Sequence, residues 1–250
     1  ANLFKNILSK KKAIFSVSNQ PLEKFIRKKQ FLSTYIHKPV IVTLCNYQYE
    51  LRSKITSPYG KIIIPITVDK RFLNEKVDIN KIPGKSAIYN IRSNRNLDEL
   101  VEIWIKYIYP RDKNLKFNIT PDLINYSDLH KQNNIFLRKI GNRKQMIEEL
   151  KESRVLLYLG HKSDIFTLTA EEAVRLCVPV VTYGIGSLID RVTHNLNGFI
   201  AKNEDEFSFY VSKLLQDDQF YLELKNKMFD SRENNTWDDI ADEWINFFLK

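Results

Sequence analysis

Two acidic residues separated by seven positions, Asp164 and Glu172, are the side chains whose type and spacing best suit chemistry in this chain. An ionised carboxylate accepts hydrogen bonds in several directions, so two of them suit the vicinal hydroxyls of a sugar. The second acid lies in a short predicted helix, and the start of a helix is a favourable place for a phosphate. These residue types predict a site for a sugar joined to a phosphate.

Two arginines, Arg92 and Arg95, lie between a predicted strand and the helix predicted at 97–109. Cations at a helix N-terminus oppose the helix dipole, so the pair indicates an anion bound between them. A guanidinium group also matches the geometry of a phosphate. The alternative is a pair of surface arginines that Asp98 and Glu99 offset in the first helical turn.

Strand-like and helix-like segments alternate along the chain, which favours an α/β fold with a largely parallel sheet. We predict strands at 13–17, 40–45, 61–67, 86–91, 116–120, 135–139, 155–160 and 178–181. We predict helices near 22–36, 97–109, 143–152, 204–216, 217–229 and 236–249. The charged segment 70–84, which ends in Pro83-Gly84, is typical of a linker.

From 164 to 200 the sequence resembles the donor-binding half of retaining GT-B glycosyltransferases, the glycosyl transferases group 1 (GT4-like) family. The pattern of that family is E-x7-E, A-M-A-x-G-x-P-V-V, a G-G-x-x-E turn and a closing G-x-x-G-F/L. Asp164 and Glu172 stand at the two glutamates. The residues in register are Pro179, Gly186, Gly198 and Phe199, while Ser187 and Asp190 replace the Gly and Glu of the turn.

The resemblance implies a GT-B fold with two Rossmann-like domains. Residues 1–69 would be the C-terminal part of an incomplete acceptor-side domain, and 70–84 the interdomain linker. Residues 85–250 would form the nucleotide-sugar donor-binding domain with its C-terminal helices. The segment PITVDKRF (65–72) is similar to the interdomain P-N-G-V-D-x-x-x-F of the family, and the helix that carries Trp237 would pack back on the first domain.

The resemblance also assigns roles. Arg92 and Arg95 match the Arg and Lys that hold the donor diphosphate, and Glu172 matches the Glu that binds both ribose hydroxyls. Asp164 would hold the sugar ring with a side chain one methylene shorter. A local alternative for Glu172 is a capping box with Thr169, in which it would bond the amide of that residue.

Two further groups of residues would line the donor site. The backbone N–H groups at the start of the helix would meet phosphate, although the glycines of the family are lost there, which narrows the allowed backbone conformations. These residues are Ile165, Phe166, Thr167, Leu168 and Thr169. Ile140 and Gly141 would lie beside the nucleotide base. Glu171 is expected to be a solvated neighbour of Glu172, and His161 a structural or solvated histidine.

Composition limits the remaining classes of function. The net charge of +9 is concentrated near the N-terminus, in 10–12 and 27–29, and fits either a solvated surface or acidic lipid headgroups. Cys45 and Cys177 lie far apart in apolar segments, which favours buried thiols. No apolar run reaches about 18 residues, and the chain start lacks a signal-peptide pattern. We therefore expect a cytoplasmic protein, with peripheral contact at the inner membrane face as an option.

The leading hypothesis is a hexosyltransferase-like glycosyltransferase, or the donor-binding part of one. Its substrates would be a UDP- or GDP-sugar and a sugar, polysaccharide or lipid-linked acceptor, in polysaccharide, glycolipid or lipopolysaccharide synthesis. No metal-ligand spacing is present, and relatives need no essential metal, so no metal cofactor is expected. Two alternatives stay open: a catalytically lapsed GT-B-like binding domain, and a basic α/β protein that binds nucleic acid, for which no recognised motif is present.

Overall fold

A computed structural model describes residues 3–5, 11–16, 30–91, 95–120, 128–139, 141–233 and 235–249. The strands are β1 (Leu3–Lys5), β2 (Lys12–Phe15), β3 (Val40–Thr43), β4 (Lys61–Ile63), β5 (Ser86–Asn90), β6 (Lys116–Thr120), β7 (Ile135–Leu137), β8 (Val155–Leu157), β9 (Val180–Thr182) and β10 (Gly198–Ile200). The α-helices are α1 (Gln30–His37), α2 (Asn46–Leu51), α3 (Lys70–Leu73), α4 (Leu97–Ile103), α5 (Asp128–Gln132), α6 (Arg143–Lys151), α7 (Leu168–Arg175), α8 (Leu188–Arg191), α9 (Glu204–Gln216), α10 (Asp218–Asp230) and α11 (Trp237–Leu249). The helix predicted at 97–109 continues beyond α4 as a π-helix (Trp104–Ile108) and a 3-10 turn (Tyr109–Arg111).

The chain contacts divide the molecule into two compact units. The smaller unit contains residues 1–67, 163–166 and 235–250, and the larger unit contains 68–162 and 167–234. Each unit has its own sheet and its own apolar core. The assignment of one part to the acceptor and the other to the donor stays a prediction.

In the smaller unit the described strands form a sheet in the order β1-β2-β3-β4, parallel except for the antiparallel pair β1 and β2. Helix α11 packs on this sheet. Its apolar residues recur at helical spacing, so one face of the helix is apolar. The residues of that face are Ile240, Trp244, Phe247 and Phe248, which join Ala13, Val42 and Ile64 in the core.

In the larger unit the described strands form an all-parallel sheet in the order β10-β9-β8-β5-β6-β7. Counted from β5, this order is 3-2-1-4-5-6, the order of doubly wound dinucleotide-binding sheets. The central strands β5, β8 and β9 are buried along their whole length, as parallel strands covered by helices are. The predicted α/β fold with parallel sheets is confirmed. The order reverses between β5 and β8, and ligands of such sheets bind at the carboxyl ends of the strands there.

The segment predicted as a linker, 70–84, packs within the larger unit. Helix α3 begins there, and its Phe72 is fully buried in the large core. The ammonium group of Lys225 donates to the carbonyl oxygens of Asp78 and Lys81, both at 2.7 Å. The segment is therefore held by tertiary contacts instead of crossing solvent as a free tether.

Candidate functional site

The loops that follow β5 and β8 are joined where the strand order of the larger sheet reverses. The side-chain Nδ2 of Asn96 donates to the carbonyl oxygen of Gly160 at 2.8 Å. Asn96 has φ 54° and ψ 23°, a left-handed conformation that Asn adopts more readily than most residues. Gly160 has φ +98°, and a Cβ there would lie 2.6 Å from the carbonyl oxygen of Ile185 after β9. The glycine thus allows three loop segments to approach closely at the expected ligand position.

Arg95 lies in this same region. It directly precedes Asn96, the N-cap of α4, and its side chain is half-buried. Asp98 and Glu99 are exposed in the first turn of the helix. Arg92 falls outside the described residues. The structure therefore places one arginine of the predicted pair at the strand-order reversal, and the diphosphate-binding role of both stays a prediction.

Glu172 is a buried carboxylate paired with an arginine that the sequence did not single out. Only 2% of Glu172 is exposed, and its Oε1 accepts a hydrogen bond from Nη1 of Arg143 at 2.8 Å. Arg143 is the first residue of α6, whose start is fixed because Oδ1 of Asn142 accepts from the amide of Gln145 at 3.0 Å. The guanidinium carbon lies 5.8 Å from the ring centroid of Phe72. A buried carboxylate held by a half-buried guanidinium group can accept hydrogen bonds from the hydroxyl groups of a ligand.

The capping-box alternative for Glu172 is wrong. Helix α7 begins at Leu168 with Thr167 at its N-cap, two residues earlier than that alternative requires. Thr169 therefore lies within the first turn, and the required spacing from cap to third residue is absent. The Oγ1 of Thr167 lies 2.9 Å from the Oγ of Ser187, and both residues are buried. This hydroxyl pair joins the start of α7 to the turn where the family pattern has Gly.

The other residues predicted to meet phosphate divide between the two units. Thr167, Leu168 and Thr169 open α7 in the larger unit, and the first amides of a helix have no partner within it. Ile165 and Phe166 are half-buried and belong with the smaller unit, as does Asp164.

Asp164 lies near residues that follow β3 in the smaller unit. The thiol of Cys45 donates to the carbonyl oxygen of Ile165 at 3.0 Å. Burial raises the pKa of the Tyr47 hydroxyl, and the charges of Asp164 and Cys45 raise it further. The two acids of the motif thus group with different units, Asp164 with the smaller and Glu172 with the larger.

Glu171 is not the solvated neighbour that the sequence suggested. Its side chain is 16% exposed and lies between two arginines. Arg175 donates through Nε to Oε1 at 3.1 Å, and Nη1 of Arg191 lies 3.6 Å from Oε2. This cluster ties α7 to α8, and the sequence could not show it because Arg191 comes from a separate helix.

The remaining predicted residues are less enclosed. Gly141 is exposed just before α6, while Ile140 falls outside the described residues. His161 is half-buried. Cys45 and Cys177 are both buried and do not form a disulfide, which confirms the expectation of buried thiols.

The described residues contain neither a cluster of metal ligands nor a membrane-spanning helix. In that part of the chain, no three His, Cys, Asp or Glu side chains are grouped so that they could hold a metal ion. Within the same ranges, no helix combines the length and the apolar character needed to cross a bilayer.

Residues 125–231, less than half of the chain, match the sequence model of the family described as Glycosyl transferases group 1. The resemblance to this family is confirmed over that stretch, whereas the retaining mechanism and the GT4-like subfamily stay predictions. A curated relative, an uncharacterized glycosyltransferase of Methanocaldococcus jannaschii, is 29% identical over 106 residues, which are 41% of this chain and 27% of the relative. The match thus spans about a quarter of that relative's length.

Solved glycosyltransferase structures share the fold of almost the whole chain. Staphylococcus aureus TarM, solved with UDP and alpha-GlcNAc-glycerol, aligns with TM-score 0.69 and 15% identity over 95% of this chain and 50% of its own. The pneumococcal O-GlcNAc transferase GtfA, solved with UDP and GlcNAc, aligns with TM-score 0.70 and 16% identity over 95% and 52%. WaaG, involved in lipopolysaccharide biosynthesis, aligns with TM-score 0.68 and 12% identity over 94% and 74%. The chain spans about half the length of the first two.

Proposed function

We propose that this chain is the donor-binding part of a glycosyltransferase that transfers a sugar from a nucleotide-diphosphate sugar. The observation that carries the proposal is the buried Glu172, which occupies the ribose position of the family motif and is paired with Arg143. The family match and the glycosyltransferase folds of the solved relatives support it. The donor is a UDP- or GDP-sugar, as the UDP complexes of TarM and GtfA suggest.

The proposed reaction breaks the bond between the anomeric carbon of the sugar and the diphosphate oxygen and joins that carbon to a hydroxyl oxygen of the acceptor, which releases its proton. Negative charge develops on the leaving diphosphate. In this proposal Arg92 and Arg95 stabilise that charge, so no divalent metal is needed for donor binding. Glu172 receives the ribose hydroxyls and Asp164 the hydroxyls of the sugar ring. The amides that open α7 contact phosphate, and Ile140 and Gly141 lie beside the base. In this proposal the enzyme is retaining and GT4-like, as the motif suggests.

The acceptor is a sugar, polysaccharide or lipid-linked molecule, and the sugar transferred is a hexose. WaaG acts in lipopolysaccharide biosynthesis, and the TarM complex contains alpha-GlcNAc-glycerol, which favours acceptors of this class. A cytoplasmic location at the site of nucleotide-sugar supply belongs to the same proposal.

We also propose peripheral contact with an anionic membrane through α1. Four large apolar side chains of this short helix are more than half exposed: Phe31, Leu32, Tyr35 and Ile36. Together with Ile55, Pro58 and Tyr59, the helix lines an apolar groove of about 470 Å³. Lys38 and Lys54 are exposed on the same unit. Apolar side chains beside lysines are typical of surfaces that bind acidic lipid headgroups.

Isothermal titration with UDP and GDP tests the donor site. We expect one nucleotide to bind, and Glu172→Gln to weaken it about tenfold to a hundredfold, the effect of losing hydrogen bonds to a charged group. Glu148→Gln, on the exposed side of α6, is the matched control and should leave binding unchanged. Absence of heat with either nucleotide, or equal binding by the Glu172 variant, would favour the lapsed binding domain.

A further inference from the structure

We propose that Arg143 is a positioning residue of the nucleotide site, acting through Glu172. It holds the buried carboxylate in the orientation that receives the ribose. The inference rests on the proposed function, because it deepens the role given there to Glu172. Neither the E-x7-E motif nor the arginine pair before α4 includes this residue.

The first observation is the asymmetry of the ion pair. The Glu172 side chain is 3% exposed and that of Arg143 is 30% exposed, with Nη1 and Oε1 2.8 Å apart. A carboxylate at that depth keeps its charge only where a partner compensates for the lost water. Arg143 supplies this compensation from a position that still reaches solvent, as a residue beside an open ligand site would.

The second observation is that two helices, α6 and α3, contribute to the position of Arg143. The capped start of α6 holds its backbone, and Phe72 of α3 lies under its guanidinium group. Its charge also helps to lower the pKa of the Asp69 carboxyl, although the hydrogen bonds from Arg71 have the larger effect. Asp69 is the N-cap of α3, and Phe72 belongs to the segment predicted as a linker, 70–84, so that segment contributes to the position of the arginine.

The neighbouring acid shows what a purely structural pair looks like in the same helix. Both oxygens of Glu171 face cations, Oε1 towards Arg175 and Oε2 towards Arg191. The side chain of Arg175 is 5% exposed and that of Arg191 is 15% exposed, so this cluster is closed towards solvent. The more exposed cation is the one beside Glu172, at the position that the family motif gives to the ribose.

The test compares UDP with 2′-deoxy-UDP by isothermal titration, using the whole chain; if the wild type binds GDP instead, GDP and 2′-deoxy-GDP take their place. The wild type should bind UDP about tenfold more tightly, since the deoxy compound lacks one hydroxyl that the carboxylate receives. Arg143→Gln should weaken UDP about tenfold and 2′-deoxy-UDP much less, so that the preference is lost. Arg143→Lys should retain part of it, because an ammonium group still pairs with the carboxylate.

Two further variants separate positioning from folding. Arg175→Gln breaks the neighbouring pair in α7, and we expect it to lower the melting temperature without changing the ratio of the two affinities. In the Glu172→Gln background, Arg143→Gln should change the ratio no further, since the two residues act as one. If Arg143→Gln does not fold, the lysine variant replaces it, and its preference for UDP should be smaller than that of the wild type; an unchanged preference would contradict the inference.

The outcomes distinguish the two proposals. A wild type that binds no nucleotide overturns the proposed function and this inference with it. The role of Arg143 alone is overturned by a different result, in which the wild type prefers UDP and the Arg143→Gln variant keeps the full preference. The same holds if that variant loses affinity for both ligands equally. Additive effects in the double variant would also overturn it.

Discussion

At the scale of single residues, the sequence identified Glu172 as a candidate site residue but did not identify the residues that contact it. Glu172 could be matched to the family motif because it stands seven residues before Pro179 within one short segment. Arg143 and Asn96 could not, because each makes its contact with a residue far away in sequence. The burial of Glu171 between two arginines was not predicted for the same reason, because only the packing of α8 against α7 brings Arg191 close to it.

Gly160 provides a prediction at this scale. We expect Gly160→Ala to lower the free energy of unfolding by about 3 kcal/mol, because alanine disfavours φ +98° and its Cβ would meet backbone 2.6 Å away. Gly84→Ala is the matched control, since a Cβ there would meet nothing within 4 Å. Its effect should stay within about 0.5 kcal/mol. Urea unfolding measures both, and equal stability of the two variants would contradict the prediction.

At the scale of elements, hydrophobic pattern predicted which segments are strands and helices more reliably than which neighbour they pack on. The buried strands β5, β8 and β9 were predicted because they read as apolar runs. Short elements such as β10 and α8 lack enough residues for a periodic pattern. Contacts group α11 with the smaller unit, whereas the predicted donor domain, 85–250, included it. Its hydrophobic pattern shows one apolar face but not what covers it; the resemblance to the family predicted that this helix packs on the first part of the chain, where its contacts lie.

Helix α11 provides a second prediction. Ile240 is 4% exposed in the core of the smaller unit, and Ile240→Ala should cost about 2–4 kcal/mol because it leaves a cavity there. We expect faster hydrogen exchange for the amides of β2, β3 and β4 in particular. Ile245→Ala is the control on the same helix, since Ile245 is 53% exposed. Unchanged exchange in the small sheet of the Ile240 variant would show that this helix does not stabilise it.

At the scale of the whole molecule, the sequence predicted an α/β chain with parallel sheets, and the solved glycosyltransferases share that fold. The net charge of +9 is a sum over the surface and does not identify a partner. The exposed apolar side chains of α1 favour lipid over nucleic acid as the partner, which the net charge alone does not decide. Steeply salt-dependent binding to DNA or RNA would instead support the nucleic-acid alternative.

Membrane contact can be tested with vesicles that contain phosphatidylglycerol. We expect the chain to sediment with them, and Leu32→Glu to reduce the bound fraction about tenfold, because a charged side chain at that surface opposes insertion. Phe209→Glu is the matched control, since Phe209 is 51% exposed on α9 of the larger unit. Equal loss of binding in both variants would indicate a general charge effect and not a lipid-binding face.

The grouping of α11 has a practical consequence for dividing this chain into pieces. A fragment cut at the predicted boundary, 85–250, would carry the apolar side chains of Ile240, Trp244, Phe247 and Phe248 away from the strands they cover. Such a stripe in water favours self-association. Production of the larger unit by itself should therefore start at about residue 68, so that Phe72 is kept, and stop at about residue 234.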